Sequence, residues 1–192
     1  TRRLDRSQLK DPGLALTAVG STVWEITETL TAALEQLPDT PGSLIDESLL
    51  SDIQDATDHC HDFLQDVAPH FQRADEVHDY VAYMHILDHL RRIAGRMSER
   101  RRLGRCRDDE RLAAMATTLS VAARIPVESS RQLTDDDLRR IRLANRDLKR
   151  AMRAYRVSCL QQTVDGGLAT SEALSRMDTA RSLRRMMYHI WR

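Results

Sequence analysis

Histidine and aspartate are the side chains of this sequence that could hold a metal ion. His85 and His89 lie four residues apart, and Asp88 directly precedes His89. Further candidates are His59, His61, Asp62, His78 and Asp79. Two histidines four apart share a helix face, and that spacing can hold a divalent metal. Two ligands do not make a site, so we predict no metal-binding residue. The alternative to this prediction is that these histidines and aspartates do hold a metal and that the chain is a helical metal-dependent phosphohydrolase.

Two pairs of adjacent arginines could bind an anion. Arg91 and Arg92 stand between Leu90 and Ile93, and Arg184 and Arg185 stand between Leu183 and Met186. Guanidinium groups bind phosphate or carboxylate through paired hydrogen bonds. We therefore predict that these four arginines contact an anion or a partner. If the chain consists of two similar halves that pack symmetrically, the four arginines gather near one surface. The alternative is that each pairs with an acid of a neighbouring helix, such as Asp58, Asp62 or Asp66.

Catalytic motifs of other kinds are absent from the sequence. It contains no serine elbow, phosphate-binding loop or dinucleotide fingerprint. Cys106 lies between Arg105 and Arg107, whose charge could lower the thiol pKa, but no partner base is present, so we treat it as an ordinary thiol. Cys60 and Cys159 fall on apolar stripes and are predicted to be buried thiols. We predict no catalytic residue, no cofactor and no enzymatic activity.

Charge is balanced overall but unevenly distributed. The formal net charge is +0, with acid concentrated in residues 46–79 and base in residues 91–107 and 139–156. These segments either face each other and water or meet an anionic partner, and the basic run 96–107 would suit anionic lipid. Nucleic acid is not expected, because aromatic residues, 4% of the chain, do not interleave with the base.

The apolar residues recur at helical spacing throughout the chain, which predicts an all-α protein. Around residues 82–107 the apolar face is broad: Tyr83, Ile86, Leu90, Ile93 and Met97 recur at steps of three and four, and Tyr80, Met84, Leu87 and Ala94 lie alongside them. A similar helix over residues 180–191 suggests two related halves. We predict six long antiparallel helices in two pseudo-repeated three-helix bundles: a tether at residues 1–10, one bundle at 11–103 and the other at 104–192.

Local signals mark where these helices begin and end. Asp11-Pro12 and Thr134 to Asp137 are predicted helix starts, and Asp165-Gly166-Gly167 is a predicted helix stop. The predicted helices cover residues 12–37, 45–71, 75–101, 108–124 and 134–164, and a sixth capped by Thr170 or Ser171. Residues 39–42 are a predicted turn, and residues 125–133 a predicted loop around Pro126.

The repeated Leu-Arg-Arg centre, the six helices and the two three-helix halves resemble the PhoU family. The opening, Leu4-Asp5 through Asp11-Pro12-Gly13-Leu14-Ala15-Leu16, resembles the junction at which bacterial sodium/phosphate cotransporters enter a C-terminal PhoU-like domain. In that family each half usually carries a Glu/Asp-x-x-x-Asp pair that ligates metal. The matching positions here are Arg91 and Gly95, then Arg184 and Tyr188. The carboxylates are missing, so no metal ligand is assigned.

The resemblance implies a regulatory domain of a sodium-dependent phosphate transporter, placed on the cytosolic side of the cell membrane. It would act by protein–protein contact in the control of phosphate uptake. The implied partners are the transporter membrane domain of the same full-length chain, a second copy in a homodimer, and phosphate or anionic lipid. Since residue 1 is not Met, we expect this sequence to be a piece of a longer chain, and the resemblance implies that a membrane portion precedes it. A free-standing helical adaptor is the second alternative.

Overall fold

The computed structural model describes residues 4–38, 47–99, 103–129 and 132–191. These residues form seven helices and no β-strand, which confirms the all-α class. Six helices are long and one is short: α1 Pro12–Glu35, α2 Glu47–Val67, α3 Ala74–Met97, α4 Arg105–Asp108, α5 Glu110–Glu128, α6 Asp135–Val164 and α7 Thr170–Trp191. The turn predicted at 39–42, the helix start at 45 and the helix end at 101 lie outside the described residues. The pseudo-repeat stays a prediction.

The chain divides into two compact units. Unit 1 comprises Thr1–Leu30 and Glu47–Gly95, and unit 2 comprises Thr31–Asp46 and Arg96–Arg192. The division therefore falls within α1 and within α3. In unit 2 the last turns of α1 meet α5, because Glu35 Oε1 lies 2.6 Å from Arg124 Nε. The division predicted at residues 103 and 104 stays a prediction.

Unit 1 is built on the start of α1, on α2 and on most of α3. Asp11 caps α1 as predicted, since its Oδ1 accepts the Leu14 N–H at 3.1 Å. Arg6–Lys10, within the predicted tether, form a 3-10 helix. A Cβ atom added at Gly20 of α1 would collide with the Tyr83 hydroxyl of α3. Glycine at that position therefore allows the tyrosine to approach α1.

Two features of α2 and α3 differ from the prediction. The α-helix of α2 ends at Val67, and Ala68–His70, which includes Pro69, forms a 3-10 turn. Proline cannot donate the next helical hydrogen bond, so the α-helix stops short of the predicted residue 71. On α3 the inward face turns toward Leu87 and Leu90, while Ile86 is 40% exposed. Leu87 and Leu90 belong to the broad apolar face that the spacing predicts, whereas Ile86, predicted on the same face, lies at its exposed edge.

The predicted loop at residues 125–133 was wrong at its beginning. Helix α5 continues through Pro126 to Glu128. Ile125 is only 2% exposed, and its carbonyl accepts the Ser129 N–H at 3.0 Å. Proline removes one hydrogen bond near the end of a helix, and burial of Ile125 offsets that loss. The start of α5 also differs, because the helix begins at Glu110, after the capping residue Asp109, and not at Asp108.

Helices α6 and α7 follow the local signals closely. Thr134 and Asp137 form a capping box at the start of α6, as the sequence predicts. Gly166 ends that helix with φ of 75°, a conformation that favours glycine. The predicted cap of α7 at Thr170 or Ser171 was wrong: α7 begins at Thr170, and the Ala169 carbonyl accepts the Ala173 N–H at 2.9 Å. Within the described ranges, none of the helices is both long and apolar enough to cross a membrane.

Candidate functional site

Arg91 is held by an acid of the neighbouring helix. Its Nη2 lies 2.5 Å from Asp58 Oδ1 of α2, and both side chains are about half exposed. Thr57 and His61 of α2 and Leu87 and Asp88 of α3 line the same cleft, whose volume is about 150 Å3. The sequence analysis gives pairing with Asp58 as the alternative to anion binding, and the structure shows this pairing for Arg91. An anion approaching Arg91 would also meet the carboxylates of Asp58 and Asp88.

Arg92 is paired within its own helix. Its Nε donates to Asp88 Oδ2 at 2.8 Å, the usual geometry of residues four apart. This hydrogen bond raises the pKa of the Arg92 guanidinium. Both side chains are about half exposed, and such ion pairs contribute little to stability. Arg91 and Arg92 therefore already have carboxylate partners in unit 1.

Arg184 and Arg185 differ from this pattern. They lie on α7 in unit 2, where Arg184 is half-buried and Arg185 is exposed. Within the described part of the chain, neither forms an ion pair. Their guanidinium groups are therefore better placed to bind an added carboxylate or phosphate than those of α3. The gathering of all four arginines at one surface stays a prediction.

The positions of the missing carboxylates have contrasting surroundings. A Cβ atom added at Gly95 would meet nothing within 4 Å. Tyr188 is 42% exposed, and its ring packs edge-on to His189 at 5.4 Å between centroids. Neither residue offers a metal-binding oxygen like that of an aspartate.

The histidines that could hold a metal are spread over two helices of unit 1. His59 and His61 lie on α2, and His78, His85 and His89 lie on α3. His61 Nδ1 is 3.7 Å from Asp62 Oδ1. No group of three or more histidine, cysteine, aspartate or glutamate side chains in the described ranges could hold a metal ion.

The sequence analysis did not predict a polar cluster that the structure shows in unit 2. It centres on Asp109, whose Oδ1 caps α5 by accepting the N–H groups of Arg111 and Leu112. Its Oδ2 accepts the Tyr155 hydroxyl at 2.5 Å and lies 3.4 Å from Arg176 Nη1. The cluster therefore joins α5, α6 and α7. The signal that could have indicated this cap is Leu112, the first buried residue of α5, three positions after Asp109.

The same cluster continues along α7 to α4. Glu172 Oε1 accepts Arg176 Nε at 2.9 Å and Arg105 Nη1 at 2.5 Å. These two arginines lower the pKa of Glu172. Burial and the hydrogen bond to Asp109 raise the pKa of Tyr155. Most of these polar atoms have hydrogen-bond partners within the cluster, although Arg105 Nε is buried without a partner among the described residues. The cluster therefore connects helices of unit 2 and has a structural role.

The three thiols are buried, as predicted for Cys60 and Cys159. Burial raises the pKa of Cys60 to about 11 and that of Cys106 to about 12. The idea that Arg105 and Arg107 lower the Cys106 pKa was wrong, because burial and nearby Asp109 both act in the opposite direction. A protonated, buried thiol is a weak nucleophile.

No family model, no curated protein and no solved structure matches this chain.

Proposed function

We propose that this chain is a PhoU-like regulatory domain that controls sodium-dependent phosphate uptake by protein–protein contact. It lies on the cytosolic side of the cell membrane and packs against the membrane domain of the transporter to which it belongs. Six long helices and the helix start at Asp11-Pro12, both expected from the resemblance, support the proposal. A regulatory domain of this kind needs a surface that binds a partner and no catalytic group.

The observation on which the proposal rests is that Arg184 and Arg185 form no ion pair with any described residue. Their guanidinium groups have no carboxylate partner among the described residues, whereas Arg91 and Arg92 have one each. Guanidinium groups pair well with carboxylate and phosphate oxygens. We infer that Arg184 and Arg185 contact an acidic group of the transporter or phosphate itself.

Phosphate uptake by living cells tests this proposal. The chromosomal gene is changed to encode Arg184→Gln and Arg185→Gln, and sodium-dependent uptake of radiolabelled phosphate is compared with the wild type. We expect the uptake rate to change by about fivefold or more, because coupling between sites typically amounts to ~1 kcal/mol or more. The matched control is Arg91→Gln with Arg92→Gln, which removes the same charge from arginines that already have partners, and it should change uptake less.

Two results would overturn the proposal. One is an uptake rate that stays at the wild-type level in both variants and in a strain that lacks the coding region for residues 1–192. The other comes from the coding sequence upstream of the Thr1 codon. Several hydrophobic spans encoded there support a transporter, and a reading frame without them contradicts it.

A further inference from the structure

The outer face of α6 carries a row of cations. Its members recur at alternating steps of three and four residues, which places them on one helix face: Arg139, Arg142, Arg146, Lys149, Arg153 and Arg156. We call this row the cationic stripe. All six side chains are exposed. At 1.5 Å per residue the stripe is about 26 Å long.

Few groups of the protein neutralise this stripe. Arg146 Nε lies 3.8 Å from Asp147 Oδ1, and the Arg142 guanidinium packs over the Trp191 ring at 5.1 Å. Within the described residues, Arg139, Lys149, Arg153 and Arg156 form no ion pair. Like charges three and four residues apart on a helix repel each other. Such a row is therefore suited to an anionic partner, which would relieve the repulsion.

The outer face of α2 carries a matching row of opposite sign. Its carboxylates and one histidine follow the same alternating steps: Asp52, Asp55, His59, Asp62 and Asp66. We call this row the acidic stripe. All five side chains are exposed, and the stripe is about 21 Å long at 1.5 Å per residue. Within the described residues, Asp52, Asp55 and Asp66 form no ion pair.

A groove runs beside the acidic stripe in unit 1. It has a volume of about 500 Å3, and Asp52, Asp55 and His59 line it together with Glu25 of α1. Ile26 and Ile53 line it as well. The groove therefore combines carboxylates with apolar surface. Long arginine side chains suit such a groove, because the methylene stem can lie on the apolar part while the guanidinium meets a carboxylate.

We propose that the cationic stripe of one molecule docks along the acidic stripe of a second copy of this chain. The two stripes match in spacing and nearly in length, and they are opposite in charge. The formal net charge of the chain is +0, so no long-range repulsion keeps two copies apart. This inference concerns self-association, and it does not depend on a role in phosphate uptake.

Exposed apolar residues continue the line of the cationic stripe. Val157, Leu160 and Val164 follow it on the same face of α6 and are 67%, 48% and 81% exposed. Single exposed ion pairs contribute little, so a row of them needs added apolar burial to hold two copies together. Burial of these three side chains would supply ~25 cal/mol for each Å2 removed from water.

Sedimentation velocity of the purified chain at two salt concentrations tests the proposal first. At pH 7 and about 20 mM NaCl we expect a dimer or larger assembly, and at about 500 mM NaCl a dissociation constant at least about tenfold higher, because salt screens exposed charges. A monomer at both salt concentrations would overturn the proposal. So would an assembly that salt does not weaken.

Charge reversal identifies the two surfaces. One variant carries Arg146→Glu and Arg153→Glu, and the other carries Asp55→Lys and Asp62→Lys. Each variant alone keeps only one intact stripe, because the first lowers the charge of the cationic stripe from +6 to +2 and the second changes that of the acidic stripe from −4 to 0, with His59 neutral. We therefore expect the self-association of each variant to weaken by about tenfold or more. A mixture of the two variants should associate again, because the first variant keeps the acidic stripe and the second keeps the cationic stripe. Folded variants that fail to associate when mixed would overturn the proposal.

Two further measurements test whether net charge alone explains the effect and whether a membrane binds the cationic stripe. A variant with Arg107→Glu and Arg181→Glu makes the same change in net charge away from the stripe, and it should associate like the wild type. Vesicles that contain phosphatidylserine test an anionic membrane as the occupant. If the wild-type chain sediments as a monomer and binds these vesicles, and Arg146→Glu with Arg153→Glu abolishes that binding, then the membrane and not a second copy occupies the stripe.

Discussion

Asp109 is a residue of unit 2 on which polar contacts from three helices converge. One of its carboxylate oxygens caps α5, and the other receives Tyr155 and Arg176. Only 12% of its side chain is exposed. A buried carboxylate is tolerated when hydrogen bonds compensate for its lost hydration, and Asp109 has such bonds on both oxygens. Loss of the carboxylate should therefore affect three helices at once.

The variant Asp109→Asn should lower the free energy of unfolding by about 2 kcal/mol, since hydrogen bonds to charged groups are worth ~1.5–3 kcal/mol. Asparagine keeps one oxygen for the cap, but its amide nitrogen cannot accept the Tyr155 hydroxyl or the Arg176 guanidinium. Urea unfolding at pH 7 measures the change. The matched control is Asp108→Asn at the exposed neighbouring position, expected within about 0.5 kcal/mol of the wild type. Equal losses in the two variants would contradict this role.

The arginine predictions also belong to the scale of single residues. The sequence identifies Arg91 as a candidate and offers Asp58, Asp62 and Asp66 as partners, because all three lie on the preceding helix. It cannot choose among them, since the choice depends on how α2 and α3 are aligned side by side. The structure selects Asp58. Whether Arg184 has a carboxylate partner depends in the same way on how α7 packs against its neighbours in unit 2.

At the scale of helices, local signals were sufficient where a few adjacent residues decide the outcome. The capping box of Thr134 and Asp137 and the left-handed Gly166 are of this kind. The sequence was insufficient where burial competes with a local signal. Pro126 indicates a break, but Ile125 is buried and the helix continues. Similarly, Asp108, Asp109 and Glu110 are adjacent acids, and contacts with other helices determine which of them caps α5.

Replacement of two glycines by alanine should change the free energy of unfolding in opposite directions. Gly166 ends α6 with a positive φ, so Gly166→Ala should lower the free energy of unfolding by about 1 kcal/mol. Gly95 lies inside α3, and an added Cβ meets nothing within 4 Å. Gly95→Ala should therefore raise the free energy of unfolding by about 0.5–1 kcal/mol, because alanine favours the helix.

Thermal unfolding of the two variants and the wild type under identical conditions measures both changes, and each serves as the control for the other. A melting temperature that moves in the same direction in both would show that the backbone conformation at one of these glycines is not as described. Stabilisation by Gly95→Ala would also show that α3 tolerates a side chain at position 95.

At the scale of the whole molecule, each unit has an aliphatic core that encloses a thiol. Cys60 lies in unit 1 and Cys106 in unit 2, and both are 0% exposed. Their folded pKa values, about 11 and about 12, lie above the ordinary value of 9.0. In unit 2 the pKa values of Cys159 and Tyr155 are also raised, from ordinary values of 9.0 and 10.0, so these two groups add to the same effect there. The stability of both units at alkaline pH is therefore linked to these thiols.

The free energy of unfolding should fall as the pH rises above 9. In that range the unfolded chain releases the thiol protons and the folded chain retains them, so the unfolded state binds fewer protons and is favoured. The decline should approach about 1.4 kcal/mol per pH unit for each thiol and level off as the pH reaches the folded pKa values. Urea unfolding from pH 8 to pH 10.5 measures it, with Cys60→Ala and Cys106→Ala as controls that each remove one contribution. If a variant lacking both thiols declined as steeply as the wild type, the link between these two buried groups and alkaline stability would be wrong.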